Sequence, residues 1–536
     1  MRYIITYQQL KAVLFSLLVG IIFFVAACDI TSPTEGVKTI LNTKTRTTTV
    51  SVIFVDSQTQ KPVGFENDTS VEVQVKGTDS DKVIDLFNRA ETTFTARNGF
   101  LSFALQDEII PGKDADKVQF NIQADAPGYL TTAKSVSIDS SGGNPLEIKM
   151  VNKSGLPPGV TGITNSSAGK IINGTTDEPV TLGSTLKSEV DTYSSVLIPE
   201  NSTITDQNGQ PLGGELSADY FVFEGNKKSS IQSFPGGLSS DVINAPNNDE
   251  QLTFKPAGYL YLQIQDENNR QARNFLPPLE MSMTLSPETV DNHGTPISKG
   301  DEIEIWSFNE DEGAWTFESP AEIEESSQGN LQVEFEADHL SYWTAAWTGT
   351  TCNTGISLNL TGTGTQHKAK IFNTETDQFL GEEMSQQKNG NRIIELKDLP
   401  DNVEGRIELY DMAGEHKKTI EPIDLCSDTT RDLDLSNSEE ITVTFNIFGI
   451  CSNGGDVEVQ PSFPAFYKPD TRSEWNSAGD VVDGELELTL PEPGLYNLGA
   501  YYEEVFYQED FEITAEDDGS IIEKTIDLPQ NICDGI

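Results

Sequence analysis

Apolar and polar side chains alternate with a period of two in run after run of this chain, as in Thr49-Val50-Ser51-Val52-Ile53-Phe54-Val55, Ser70-Val71-Glu72-Val73-Gln74-Val75 and Glu440-Ile441-Thr442-Val443-Thr444-Phe445. That period sends successive side chains to opposite faces of a pleated strand. The competing pattern, apolar residues at i, i+3, i+4 and i+7, is sustained nowhere beyond two turns and is traced only weakly near Asp79 to Arg89. Turn pairs such as Asn98-Gly99, Gly142-Gly143 and Asn208-Gly209 punctuate the runs. Short strands with one apolar face bury it by stacking sheet on sheet, and the 536 residues exceed what one core holds. The expected fold is therefore all-β: a string of about four β-sandwich domains.

Charge excludes whole classes of partner. With 85 acidic against 35 basic residues the net charge is −50, a field opposed to nucleic acid, whose phosphates are bound by clustered Lys and Arg. Direct adsorption on anionic lipid is disfavoured for the same reason. Hydrophobic residues make up 36% but are spread in short alternating runs, which reads as folded protein with polar loops rather than as disorder. The acidity fits solubility and salt tolerance of an exported protein; calcium held by some of the carboxylates is the functional alternative, and no other cofactor is expected.

The N-terminus has the layout of an export signal. Arg2 and Lys11 precede an uncharged apolar run from Ala12 to Ala27, which as a helix is roughly 24 Å long, short of the ~30 Å hydrocarbon core a permanent span must cross. Its end, Val25-Ala26-Ala27-Cys28, resembles the lipobox of bacterial lipoproteins. The resemblance implies cleavage after residue 27 and acylation of the Cys28 thiol, so that the lipid bilayer is a partner through Cys28. An ordinary secretory signal and an uncleaved anchor are the alternatives. Residues 28–45, rich in Thr, Ser, Pro and Asn, read as a flexible tether. The expected location is the outer membrane or cell surface rather than the inner membrane.

Beyond Cys28 four cysteines remain, an even number that suits an oxidising compartment. Pairing Cys352 with Cys426 and Cys451 with Cys533 closes two loops, each the size of a small domain; a crossed pairing that ties two domains together stays open. No C-x-x-C spacing supports zinc or redox chemistry.

Punctuation and composition divide the chain into a signal peptide at 1–27, the tether, a sandwich at 46–153, a linker at 154–185, a central sandwich module at 186–349, and two further sandwiches at 350–437 and 438–536. Val50 to Asp56 with Lys61-Pro62-Val63, then Ala126-Pro127-Gly128-Tyr129 and Ser135 to Ile138, resemble carboxypeptidase regulatory-like domains, which are transthyretin-type sandwiches without catalytic residues. In the central module, Val196 to Thr203, Thr205 to Leu212, Leu276 to Met281, Ile303 to Phe308 and His339 to Trp343 follow an order similar to a module of cartilage intermediate layer proteins. That family implies a matrix or scaffold role. The last two units resemble regulatory-like or Ig-like domains at the level of pattern.

Catalytic signatures are scarce. His293, His339, His367 and His416 are scattered outside any H-E-x-x-H or H-x-H arrangement, and neither a G-x-S-x-G elbow nor a complete phosphate loop occurs. Asp206, Asn208, Gly209 and Glu215 match part of a calcium-loop template whose first position is Ile204, so a simple hairpin turn explains them as well. Trp315 and Trp347 belong to an aromatic cluster that reads either as core or as a platform for sugar rings. The function expected is a non-catalytic cell-envelope lipoprotein acting through a protein or glycan ligand as a binding, adhesion or spacer protein; the alternative is a polysaccharide-binding accessory of a glycan-degrading system.

Overall fold

The computed structural model describes residues 39–527 except 43–45, 113–116, 185–189, 248, 353, 389–390, 413, 437–439, 451–456, 473 and 503–504. The signal peptide, Cys28, Cys451 and Cys533 lie outside the described residues.

The alternation folds as expected into stacked sheets. In the first sandwich, Val83–Ile84, Phe100–Leu105, Thr48–Asp56 and Gly142–Met150 form one sheet, and Thr93–Ala96, Val71–Lys76, Val118–Asp125 and Thr132–Ile138 form the other. Asn98 and Gly99 both take left-handed φ, 53° and 83°, and their turn carries the chain from one sheet to the other. A Cβ on Gly99 would lie 2.8 Å from the Phe54 carbonyl oxygen, so only glycine fits there. Val71–Lys76 buries every second residue, whereas all nine residues of Thr48–Asp56 are buried, because another sandwich covers its outer face.

The central unit pairs an eight-stranded sheet with a six-stranded one. Five strands of the larger sheet return on themselves: Gln251–Asp266 pairs with Tyr342–Thr350, which pairs in turn with Glu302–Asn309, Ala314–Glu322, Ser239–Ile243 and Gln251–Asp266 again. A small closed ring leaves none of these strands with a free edge. The third unit stacks the sheet holding Ile356–Thr361 on the sheet holding His367–Asn373, and the fourth stacks Ile441–Ile450 and its partners on the sheet of Phe463–Pro469. Cys352 and Cys426 are disulfide-bonded with Cα atoms 5.3 Å apart, one of the two sequential pairings expected. Among the described residues no helix is long and apolar enough to cross a membrane. The weak helical trace near Asp79 yields one 3₁₀ turn, Ser80–Lys82.

Two expectations are corrected. The segment read as a linker, 154–185, contains the strands Val160–Ile172, Thr175–Thr176 and Val180–Gly183, and Val160–Ile172 runs antiparallel to Gly214–Glu224. Its register slips twice, with Asn165 and Gly169 in left-handed conformation, so the period of two is broken and the strand is hidden among Ser, Asn and Gly. The tether is also shorter than expected, since Thr39–Asn42 pairs in parallel with Val457–Gln460 of the fourth sandwich. Backbone pairing across a sheet edge needs no side-chain signature, which is why composition misses it.

The four sandwiches pack into one body. Against the fourth, Phe100 of the first stacks on Phe506 at 4.1 Å and meets Phe466 and Trp475 at 4.8 and 5.4 Å. Against the central unit, the Tyr342 hydroxyl donates to the Thr131 carbonyl at 2.6 Å and the Ser135 hydroxyl to the Gly313 carbonyl at 3.0 Å. At the first–fourth interface the Thr49 hydroxyl lies 3.0 and 2.9 Å from the two carboxylate oxygens of Asp480. Burial pushes the Asp480 carboxyl up to about 6, and the Thr49 hydrogen bond lowers it only in part.

A raised acid has a definite sign. The charged form is disfavoured in the folded state, so the contribution of Asp480 to stability is full below its ordinary value of 3.8 and is lost as pH rises through about 6. Asp480→Asn is expected to melt progressively higher than the parent as pH rises from 4 to 6, with a constant gap above that; scanning fluorimetry of the pair across pH 4–7 reads it. A gap independent of pH excludes the assignment.

Candidate functional site

The structure separates the residues proposed as a sugar platform. Trp315 is 0% exposed, stacks on Phe234 at 4.8 Å and donates its indole N–H to the Pro235 carbonyl at 3.0 Å. It belongs to the aromatic core around Phe254 and Trp306, whereas half-buried Trp347 packs against the other core of the central unit and donates to the Glu302 carbonyl at 3.2 Å. The two rings serve different cores, so the Trp315–Trp347 platform is corrected: residues 314–322 turn Trp315 inward because the strand ring closes around its aromatic neighbours.

The partial calcium loop is a hairpin device. Asp206 accepts the backbone N–H groups of Asn208 and Gln210, both at 2.9 Å, while Glu215 is paired with Lys170 at 2.8 Å. The same capping of i+2 and i+4 by an aspartate recurs at Asp85, Asp266 and Asp291, each followed at i+3 by Asn or Gly with positive φ. At Asp291 burial pushes the carboxyl up, but the N–H donors of Thr295 and His293 outweigh it and leave it below the ordinary range. Part of the acidity is thus spent on turns. Among the described residues no group of three or more His, Cys, Asp or Glu is arranged to hold a metal ion.

One concavity lies where three sandwiches meet. A crevice of about 440 Å³ is walled by the first sandwich at Glu147 and Lys149, by the central unit at Gln232, and by the third at Lys368, Phe379 and Glu382. Local structure sets the charges. On Gly142–Met150, Ile148 and Met150 face the core, so Glu147 and Lys149 project together from the other face. On His367–Asn373, Ala369 and Ile371 are buried and Lys368 and Lys370 project outward, with Lys370 directly across from Glu382 on Phe379–Met384.

Docking these faces builds an ionic ladder. Lys368 lies 3.1 Å from both oxygens of Glu147; Lys149 lies 3.7 Å from Glu147 and 3.3 Å from Glu382; and the Gln232 amide donates to Glu382 at 2.9 Å. Burial alone would raise the Glu382 carboxyl, but Lys368, Lys149 and Lys370 outweigh it and bring it to about 2. Burial would lower the Lys368 ammonium, and the field of Glu147 reverses that and raises it. A second, smaller crevice of about 250 Å³ between the first and central units holds Glu310 and Arg273 3.8 Å apart beside Gln123 and Tyr261.

These fixed charges and amides suit holding a ligand or a neighbouring unit in register. Sequence reasoning missed them because period-two Glu and Lys on a strand are the ordinary mark of a solvated face. The available signal was weak: Lys368-x-Lys370 is a basic pair in a chain of opposite charge, and Glu147-x-Lys149 sets an acid and a base on one face of a strand.

No family model and no curated protein matches the sequence. Among solved structures, the chain is similar to the TIE protein of Bacillus anthracis, at 12% identity over 69% of this chain and 74% of that one, with a TM-score of 0.14. It is similar also to a variant of BcpA, the major pilin subunit of Bacillus cereus, at 8% identity over 90% and 99% with a TM-score of 0.14, and to the RrgB pilus protein of Streptococcus pneumoniae, at 8% over 91% and 99% with a TM-score of 0.13.

Proposed function

We propose that the protein is an exported lipoprotein, held at a bilayer through acylated Cys28, that acts as a non-catalytic adhesion or spacer body at the cell surface. The observation that carries this reading is the packing of four sandwiches into one body, with Thr39–Asn42 of the anchor-proximal segment paired into the fourth. A body of that kind resists extension and presents broad acidic surfaces, as a spacer or adhesive protein requires. The buried position of Trp315 takes away the platform on which the polysaccharide-capturing alternative stood.

Cys28→Ser is expected to move the protein from the membrane fraction to the soluble fraction of its host, and mass spectrometry of the parent N-terminus to show an acylated Cys28. An unacylated start, or an intact leader still attached, overturns the anchoring. Protease treatment of intact cells is expected to release large fragments; full protection excludes the surface location.

A further inference from the structure

The fourth sandwich leaves a long strand edge open. Val505–Ile513 ends the sheet of Phe463–Pro469, pairs on one side with Gly494–Tyr502, and among the described residues has no strand on its other side. Its nine residues hold register without a slip, from Tyr502 opposite Val505 to Gly494 opposite Ile513, and none of them is proline, glycine or lysine. In an antiparallel pair every second residue turns its N–H and C=O away from the neighbour, so the outer side of such a strand is a row of free donors and acceptors. Apart from the pairing with Gly494–Tyr502, no backbone hydrogen bond among the described residues involves Phe506, Gln508, Asp510 or Glu512.

Comparable edges elsewhere are covered or broken. Thr132–Ile138 is met by Gly236, whose N–H donates to the Ala133 carbonyl at 3.0 Å. Glu324–Glu325 pairs with the start of Leu331–His339, and His416–Asp424 has two register slips and carries Pro422. Covering segments, bulges and prolines are the devices that keep natural edges from pairing with other chains.

The side chains along the open edge define what it accepts. Phe506, Gln508, Asp510 and Glu512 alternate onto one face, where Phe506 stacks on Phe100 of the first sandwich at 4.1 Å and fixes the start of the strand. Gln508, Asp510 and Glu512 are exposed. Glu509, on the other face, is paired with Lys524 at 2.7 Å, whereas Asp510 and Glu512 make no ion pair among the described residues. Pairing with the same strand of a second copy sets carboxylate against carboxylate, and like charges across a strand pair destabilise it. A strand with basic side chains meets the reverse situation, and the net charge of −50 draws it in.

We propose that the outer edge of Val505–Ile513 docks an extended strand of a partner protein that carries Lys or Arg beside Asp510 and Glu512. Main-chain hydrogen bonds along the edge hold the strand, and the two carboxylates select its side chains. This deepens the adhesive reading by naming a class of partner, and it rests on that reading for the partner's availability outside the cell. Its test uses the soluble Cys28→Ser chain, so that failure of the anchor and failure of the docking are read separately.

The experiment is titration of a fluorescent peptide of alternating threonine and lysine at physiological ionic strength, followed by anisotropy. One comparison peptide has glutamate in place of lysine. The other keeps the lysines but is N-methylated at consecutive central residues, which preserves its charge and blocks pairing on both of its edges. The parent is expected to bind the lysine peptide saturably, with slowed amide exchange over residues 506–512, and to bind neither comparison peptide. Asp510→Lys/Glu512→Lys is expected to bind the lysine peptide about tenfold more weakly or worse, and to gain binding of the glutamate peptide. Glu334→Lys/Glu336→Lys, the same charge change on an exposed strand face of the central unit, is expected to behave like the parent. Equal binding of the N-methylated peptide overturns the docking and reduces the attraction to net charge. So does the absence of saturable binding by the parent, or an identical response of the two double variants.

Discussion

Replacing Trp315 with alanine is expected to destabilise the central unit by about 3–5 kcal/mol, the range for removing a large aromatic side chain from a packed core. The ring has no exposed surface and is enclosed by Phe234 at 4.8 Å, Phe308 at 5.2 Å and Phe254 at 5.7 Å, so little can move in to fill the space. Its indole N–H also satisfies the Pro235 carbonyl, which is left unpaired in a buried place. Trp347→Ala, at a half-buried ring, is expected to cost on the order of 1 kcal/mol. Urea titration followed by fluorescence reads both, with the loss confined to the transition that includes the central unit because a multi-domain chain need not unfold in one step. If Trp315→Ala unfolds at the parent's midpoint, the aromatic core is wrongly assigned.

Removing the Cys352–Cys426 bond by changing both residues to alanine is expected to destabilise the third sandwich by about 4 kcal/mol on the loop-entropy account, for a closed loop with a sequence separation of 74. The bond joins the start of that sandwich to the turn after His416–Asp424, and Cys352 is buried at the edge of the same core as Leu358 and Ile394. The measurable signature is a new, earlier thermal transition in the variant and, identically, in the parent treated with reductant. A single unshifted transition in both samples means that packing against the neighbouring units, rather than the cross-link, holds the third sandwich.

The ion pairs of Glu147 and Glu382 are matched groups taken out of water together, and such pairs often break even against their desolvation. Their contribution is to register: Lys149 reaches Glu382, and Lys368 reaches Glu147, only when the first and third sandwiches dock in one orientation.

What the amino-acid order determined by itself was local and periodic. Val71–Lys76 and Ile441–Ile450 announce their strands and buried faces through a period of two, loop size favoured the Cys352–Cys426 pairing, and the Val25-Ala26-Ala27-Cys28 run sets the expectation of an anchor before any fold exists. Only the tertiary structure decided the rest. Bulges near Asn165 and Gly169 erased the periodicity of Val160–Ile172, strand-ring closure turned Trp315 into core, and pairing across a sheet edge drew Thr39–Asn42 to the far end of the chain. Above all, Glu147, Lys149, Lys368 and Lys370 read as solvated faces along their strands and become a shared charged junction only on docking. A residue's neighbours along a strand follow from its sequence position, while its neighbours across an interface depend on how whole sheets pack.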